Sequence, residues 1–150
     1  MRPSEVRRHV LSDHAHLRER LTRIVRYAGA VVRGGSAPAG VLRMEGEALL
    51  EFMEQHMSYE DQHLVPILRE ADAWGDVREE RFAAEHREQR ELLAYALAQL
   101  VEPSRPERVV AQMLLDLAEL LEKDMHEEEA AFLDPRIVRD DPITIDLFAG

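Results

Sequence analysis

Turn-forming residues, glycine and proline above all, are concentrated at three short stretches, and this spacing constrains the fold more than any other feature. The stretches cover residues 34–40, 72–76 and 102–106. Glycine and proline interrupt helices and favour turns. Between the stretches lie four segments of roughly 26–32 residues, in which apolar residues recur three and four positions apart. The pattern predicts four long amphipathic helices and leaves no alternating segment for a strand.

Short connections make consecutive helices pack side by side in opposite directions. The sequence therefore predicts an all-α fold, an antiparallel up-down-up-down four-helix bundle. The bundle is expected over residues 4–134, followed by a tail over 135–150, with the whole of 1–150 forming one domain. Pro66 lies inside the second segment and is predicted to kink that helix rather than end it, because Ile67 and Leu68 continue the apolar stripe.

Charge and composition exclude several classes of protein. The chain has 19 Lys and Arg against 30 Asp and Glu, a net charge of −11, which argues against a nucleic-acid partner. No apolar run approaches the roughly 20 residues of a membrane span, and the start lacks the apolar stretch of a signal peptide, so we expect a cytoplasmic protein without a membrane partner. The chain has no cysteine, which excludes disulfides, thiolate metal sites and a cysteine nucleophile.

The most informative residues are polar residues that lie on the apolar stripes. In the first helix, His14 falls between Val10 and Leu17 on the inward face. The second helix carries a His-x-x-x-Glu pair one turn apart on its inward face, and the third and fourth helices carry further inward polar residues. The predicted inward polar residues are His14, His56, Glu60, His86, Asp124 and Glu128. His126 is not expected to join them, because two residues along a helix is a rotation of about 200° from Asp124.

Two interpretations fit these inward residues. A purely structural polar network is possible, but it requires every member to be satisfied, and burying an unpaired carboxylate costs several kcal/mol. A metal site satisfies the set more simply, because metal ions supply the positive charge that three carboxylates lack. Imidazole combined with carboxylate suits iron, manganese or zinc. Six ligands are too many for one zinc ion and suit two ions that share bridging carboxylates. A ferritin-type site is disfavoured, because residues 60–63 alone have the Glu-x-x-His spacing.

The order of these residues along the chain resembles that of the hemerythrin-like (HHE cation-binding) family. The stretches that carry the resemblance are 13–17, 56–66, 85–88 and 124–133, within residues 5–135. The two halves also resemble each other, since each has a helix with Asp-His or Glu-His followed by a helix with a ligand pair. The resemblance implies a hemerythrin-like bundle with a non-haem iron centre.

The resemblance also implies a role for each inward residue. His14, His56, Glu60, His86 and Glu128 match the iron ligands of the family, with Glu60 and Glu128 as bridging carboxylates. Asp124 stands where the family has its fourth-helix histidine. Phe82 stands where oxygen-carrying members have a second histidine on the third helix. The implied cofactor is therefore two iron ions in a site poorer in imidazole and richer in carboxylate than that of an oxygen carrier.

The expected partners of such a centre are a small diatomic ligand or peroxide. The resemblance implies binding, sensing or reaction with O2, nitric oxide or peroxide, or iron handling. Two alternatives remain open at the level of the sequence. One is a metal-free or zinc-bound four-helix bundle that serves as an interaction or structural module. The other is an enzyme, namely a di-iron oxidase, a peroxidase or an iron-centre repair protein.

Overall fold

The computed structural model describes residues 1–141, and all of the regular secondary structure within that range is helical. The elements are α1 (Pro3–Val32), α2 (Val41–Tyr59), a π-helical turn (Glu60–Leu64), α3 (Val65–Ala71), α4 (Gly75–Leu100) and α5 (Glu107–Ala131). The chain from α2 through the π-helical turn to α3 runs on as the second helix of the bundle. The all-α helical bundle predicted from the sequence is therefore confirmed.

Side-chain contacts between α1 and α5 show that these helices run in opposite directions. The Arg7 guanidinium near the start of α1 donates to the carbonyl of Leu133 beyond the end of α5. Arg18, further along α1, pairs with Glu122, which lies earlier in α5. Helix α1 also packs against α2, and α2 packs against α4. The bundle thus encloses a core that each long helix faces along its apolar stripe.

The second bundle helix is deformed immediately before Pro66. At this point the helix widens into the π-helical turn, where the backbone N–H of Val65 donates to the carbonyl of Glu60. Proline has no N–H to give to the preceding turn, and a π-helical turn accommodates one extra residue within an otherwise α-helical run. The disturbance predicted at Pro66 therefore takes the form of a local change in helical pitch across residues 60–64.

Two apolar clusters form the core, and a polar layer separates them. The larger cluster includes Leu17, Leu49 and Leu114, while the smaller one includes Val10 and Phe82. Along α1, His14 lies between Val10 and Leu17, and the buried polar residues of the other helices lie at the same level. Apolar packing on both sides fixes the four helices at the layer where the polar side chains meet.

The first residues of the predicted tail pack against the start of α1. Val138 is buried in the smaller apolar cluster. The Asp140 carboxylate accepts hydrogen bonds from the Ser4 backbone N–H at 2.9 Å and from the Ser4 hydroxyl at 2.7 Å. The rest of the tail, residues 142–150, lies outside the described residues, so the single-domain organisation of 1–150 stays a prediction. Within residues 1–141, no helix is both long enough and apolar enough to cross a membrane.

Candidate metal centre

Four buried side chains from separate parts of the bundle meet in the polar layer. They are His14 of α1, His56 of α2, Glu60 of the π-helical turn and Glu128 of α5. Each offers one possible ligand atom, and these atoms all lie within 4.8 Å of one another. None of the four residues is more than 4% exposed. Each lies on the inward stripe of its helix, so the helical periodicity alone directs it to the core.

The atoms in this group are close together, and several of them have no hydrogen-bond partner. His14 Nε2 lies 3.1 Å from Glu128 Oε1 and 4.0 Å from Glu60 Oε1. His56 Nε2 lies 3.0 Å from Glu60 Oε1. Among residues 1–141, both ring nitrogens of His14, Glu60 Oε1 and Glu128 Oε1 are buried without a hydrogen-bond partner. Buried polar atoms are normally paired, so facing imidazole and carboxylate atoms left without partners fit a bound cation.

His86 of α4 approaches the same group from the opposite side. Its Nε2 lies 3.0 Å from Glu60 Oε2, whereas His14 and His56 face Glu60 Oε1. His86 is 1% exposed, and its ring contacts Phe82 edge-on with ring centroids 4.5 Å apart. The two oxygens of Glu60 therefore face different imidazoles, which is the arrangement required of a carboxylate that bridges two ions.

Asp124 does not join this group, in contrast to the inward orientation expected from the sequence. It is half-buried on α5, and its Oδ2 accepts a hydrogen bond from Gln89 Nε2 at 3.0 Å. Met125 is buried on the inward stripe beside it, so α5 directs a methionine rather than the short aspartate side chain at the core. His126 is exposed. The structure thus brings together five of the six predicted residues and leaves Asp124 at the edge of the layer.

Carboxylates from neighbouring elements face the outer nitrogens of two of the imidazoles. His56 Nδ1 lies 3.0 Å from Asp13 Oδ2, a hydrogen bond between α2 and α1. His86 Nδ1 lies 2.7 Å from Asp61 Oδ1, a hydrogen bond between α4 and the π-helical turn. In both rings the Nε2 atom is then the one that faces the interior of the group. Such outer carboxylates commonly orient metal-binding histidines.

His14 has a weaker contact of the same kind. Its Nδ1 lies 3.6 Å from Glu129 Oε1, which is a charge contact rather than a hydrogen bond. Glu129 is itself held by Arg18, whose Nη1 atom lies 2.6 Å from the same carboxylate oxygen. Each of the three imidazoles therefore has one nitrogen directed at the group and one directed at an outer carboxylate.

These outer carboxylates were not among the residues predicted from the sequence. A signal is visible in retrospect, since each one is adjacent in sequence to an inward residue, as in Asp13-His14, Glu60-Asp61 and Glu128-Glu129. Helical spacing assigns such residues to the flank of the inward stripe. It does not tell which neighbouring helix that flank faces, and this depends on the rotation of the packed helices.

The facing carboxylates change the protonation of the imidazoles. Burial alone would lower the pKa of His56, but Asp13 and Glu60 outweigh it and raise the pKa of His56 to about 9. Burial is likewise outweighed by Glu60 and Asp61, which raise the pKa of His86. The pKa of His14 is lowered, mainly by burial and then by the neighbouring His56. His56 therefore carries a proton at neutral pH in the metal-free protein, and the facing carboxylates favour the protonated form of His86.

The two buried glutamates differ in their ionisation. Burial raises the pKa of Glu128 well above its ordinary value, and the negative charge of Glu60 raises it further. Burial also opposes ionisation of Glu60. Interactions with the protonated Glu128 carboxyl and with the imidazoles of His56 and His86 outweigh that effect and lower the pKa of Glu60. In the metal-free layer, protons on His56 and Glu128 thus offset the negative charge of the carboxylates. A metal ion would replace these protons as the source of positive charge.

An open groove lies beside the layer, between α4 and α5. It has a volume of about 350 Å³, and its lining includes Glu85, Gln89 and Asp124. Burial and the nearby Asp124 carboxylate raise the pKa of Glu85 to about 7. Since Gln89 and Asp124 also line it, the groove lies on the side of the bundle where α4 and α5 face each other.

Comparison with known proteins agrees with the architecture and with this group of residues. The family model for the hemerythrin HHE cation-binding domain matches residues 6–134. Comparisons with curated proteins and with solved structures gave no match. The matched range contains all five of the buried histidines and glutamates of the polar layer. The chain therefore belongs to the hemerythrin HHE cation-binding domain family, with the buried histidines and glutamates as its candidate cation site.

Proposed function

We propose that this chain is a non-haem iron protein whose buried centre holds two iron ions, with Glu60 and Glu128 as the shared carboxylates. The observation that carries the proposal is the set of buried, unpartnered atoms on His14, Glu60 and Glu128. A site of imidazole and carboxylate without thiolate suits iron. The family membership supports a cation at this place in the fold.

The two ions would be held on opposite sides of Glu60. His14 and His56, with Glu60 Oε1 and Glu128 Oε1, supply the donor set on the side of α1 and α2. His86 and Glu60 Oε2 supply the other side. We propose Asp124 as a further ligand on that side, since Gln89 hydrogen-bonds to Oδ2 and leaves Oδ1 for a cation. The second side is thus poorer in imidazole, and we expect it to bind its ion more weakly.

The enclosure of the layer favours a small ligand. The proposed ligands are at most 4% exposed, apart from the half-buried Asp124. The adjacent groove is open to solvent, and its carboxylates disfavour a large apolar substrate. Iron bound by these residues would supply a redox-active ion. We therefore propose that the protein binds, senses or reacts with O2, nitric oxide or peroxide, or handles iron.

Iron loading of the intact chain tests the proposal. Protein loaded anaerobically with Fe2+ and then exposed to air should retain about two iron ions per chain and gain absorption in the near ultraviolet. A retained content of about one or less would contradict the two-ion form. A colourless protein that retains zinc but not iron would favour the interaction module instead.

A pair of variants on α5 tests the ligand assignment. Asp124→Ala should lower the iron content, with the loss confined to the more weakly bound ion. His126→Ala is the matched control, because His126 lies two residues away on the same helix and is exposed. That variant should keep both the iron content and the spectrum of the unmodified protein. The reverse result would mean that His126, rather than Asp124, is the ligand that α5 contributes to this side.

A further inference from the structure

We infer that Asp13, Asp61, Gln89 and Glu129 form a ring of positioning residues around the centre, in which each bundle helix holds the proposed ligand of the next helix. The inference rests on the proposed function, because it concerns how the ligands are oriented for a cation. None of these four residues is itself one of the proposed ligands.

The first two links of the ring are hydrogen bonds between a carboxylate and an imidazole. Asp13 of α1 accepts from His56 Nδ1 of α2 at 3.0 Å. Asp61 of the π-helical turn accepts from His86 Nδ1 of α4 at 2.7 Å. The π-helical turn makes the second link possible, because consecutive residues Glu60 and Asp61 both reach the His86 ring, one at each nitrogen.

The other two links close the ring through α5. Gln89 of α4 donates to Asp124 Oδ2 of α5 at 3.0 Å. Glu129 of α5 faces His14 Nδ1 of α1 at 3.6 Å, the longest of the four contacts. The links therefore run from α1 to α2, from the π-helical turn to α4, from α4 to α5 and from α5 back to α1.

Each outer carboxylate is anchored in turn by a cationic or titratable side chain on its solvent side. Asp61 accepts from Arg90 at 2.8 Å, and Glu129 pairs with Arg18 at 2.6 Å. Asp13 faces His9 Nε2 at 3.5 Å, and the His9 ring stacks on Tyr59 with centroids 3.7 Å apart. These contacts limit the freedom of the carboxylates and so of the imidazoles that they hold.

The ring has a chemical consequence for the centre. A carboxylate that accepts from the outer nitrogen of a histidine fixes which nitrogen is free for a metal, and it makes that nitrogen a stronger donor. Because each link joins two helices, the orientation of every proposed ligand depends on the packing of its neighbour. Loss of one link should therefore weaken metal binding without removing a ligand.

The test measures Co2+ affinity of the full chain at neutral pH by competition with a chelator. Asp13→Ala and Asp61→Ala should each lower the affinity about 10- to 100-fold, the range found for outer carboxylates of metal sites. Asp13→Asn and Asp61→Asn keep an acceptor oxygen but lose its charge, so they should fall between the alanine variants and the unmodified protein. Glu129→Ala should have the smallest effect of the three carboxylate positions, because its contact is the longest.

Glu127→Ala is the matched control for Glu129→Ala. Both glutamates flank Glu128, but Glu127 is exposed and faces Lys123 at 3.9 Å rather than an imidazole. The Glu127→Ala variant should bind Co2+ with the same affinity as the unmodified protein. The visible spectrum of bound Co2+ provides a second readout, since a misoriented imidazole changes the ligand field, whereas a general loss of stability does not.

The outcomes separate this inference from the proposed function. Alanine variants that bind Co2+ within about twofold of the unmodified protein, with the same spectrum, would overturn the ring. If an alanine variant fails to fold, the asparagine variant at the same position decides. Unchanged Co2+ affinity and spectrum in the asparagine variant would also contradict the positioning role of the ring. An unmodified protein that binds neither Co2+ nor Fe2+ would overturn the proposed function itself.

Discussion

Glu60 is the side chain that all three buried imidazoles face. Its Oε1 lies 3.0 Å from His56 and 4.0 Å from His14, and its Oε2 lies 3.0 Å from His86. Glu60→Ala should abolish retention of both iron ions, since it removes the carboxylate whose two oxygens face imidazoles on both sides of the layer. It should also destabilise the metal-free protein by about 3–5 kcal/mol, because the buried protonated imidazole of His56 loses one of its two facing carboxylates.

Iron analysis and denaturant unfolding of the metal-free protein measure these two effects. Glu127→Ala serves as the control, because it removes an exposed carboxylate from the same bundle. Asp61→Ala should retain more iron than Glu60→Ala, since Asp61 acts through His86 rather than as a proposed ligand. The opposite order would show that Asp61, rather than Glu60, faces the layer.

The raised pKa of His56 predicts opposite pH dependences for stability and metal affinity. An unfolded histidine titrates near about 6.5, whereas the carboxylates facing His56 raise its folded pKa to about 9. The protonated ring therefore stabilises the metal-free fold fully below about pH 6.5, and this contribution is lost as the pH rises through about 9. Metal affinity should rise over the same interval, because the imidazole must lose its proton to bind.

Unfolding and Co2+ competition experiments between pH 6 and pH 9 measure both trends. His16→Ala is a suitable control, since His16 is an exposed histidine of α1 that lies outside the layer. It should leave both profiles unchanged. Co2+ affinity that stays flat over this interval would mean that His56 is not a ligand.

At the scale of elements, the π-helical turn sets the direction of Glu60 and Asp61. A π-helical turn is one residue longer than the α-helical turn that it replaces. Deletion of the exposed Gln62 should remove the extra residue and restore a regular helix with both flanks in register. Leu64 and Leu68 should then stay in the smaller apolar cluster, but the placement of Glu60 and Asp61 on either side of the His86 ring should change, so the variant should fold and retain less iron.

Metal content and thermal unfolding of the deletion variant check this prediction. Gln62→Ala is the control, because it removes the same exposed side chain while keeping the number of residues in the turn. It should behave as the unmodified protein. A deletion variant with full iron content and unchanged stability would show that the π-helical turn has no role in the site.

Helical periodicity predicted the part of the site that lies on the apolar stripes. His14, His56, Glu60, His86 and Glu128 are buried because each replaces an apolar residue at a core position. Periodicity does not report the relative rotation of neighbouring helices, so it gave neither the outer carboxylates nor the half-buried position of Asp124. It also assumes a constant pitch, which the π-helical turn before Pro66 violates.

At the scale of the whole molecule, the polar layer separates two apolar clusters. Each cluster packs through contacts among its own apolar residues. In the metal-free protein this layer contributes buried atoms without partners, which cost stability. A cation that binds only the folded chain shifts the unfolding equilibrium. Metal loading should therefore stabilise the whole bundle rather than order a local segment.

Free metal at about 100 times its Kd should add about 2.7 kcal/mol to the free energy of unfolding. For a domain of this size, that corresponds to a rise in Tm of about 5–10 °C. Thermal scans with and without a chelator measure the rise. A Tm that does not respond to metal at saturating concentration would contradict the buried site.

Two variants separate the contribution of the layer from that of the apolar core. Leu114 is fully buried in the larger cluster, so Leu114→Ala should cost about 2–5 kcal/mol with or without metal and keep the metal-dependent rise in Tm. Both ring nitrogens of His14 lack hydrogen-bond partners. In the metal-free protein, His14→Ala should therefore lower the free energy of unfolding by less than Leu114→Ala does. His14→Ala should, however, lose most of the metal-dependent rise. If the two variants lost equal shares of that rise, metal binding would depend on general core packing rather than on the imidazole of His14.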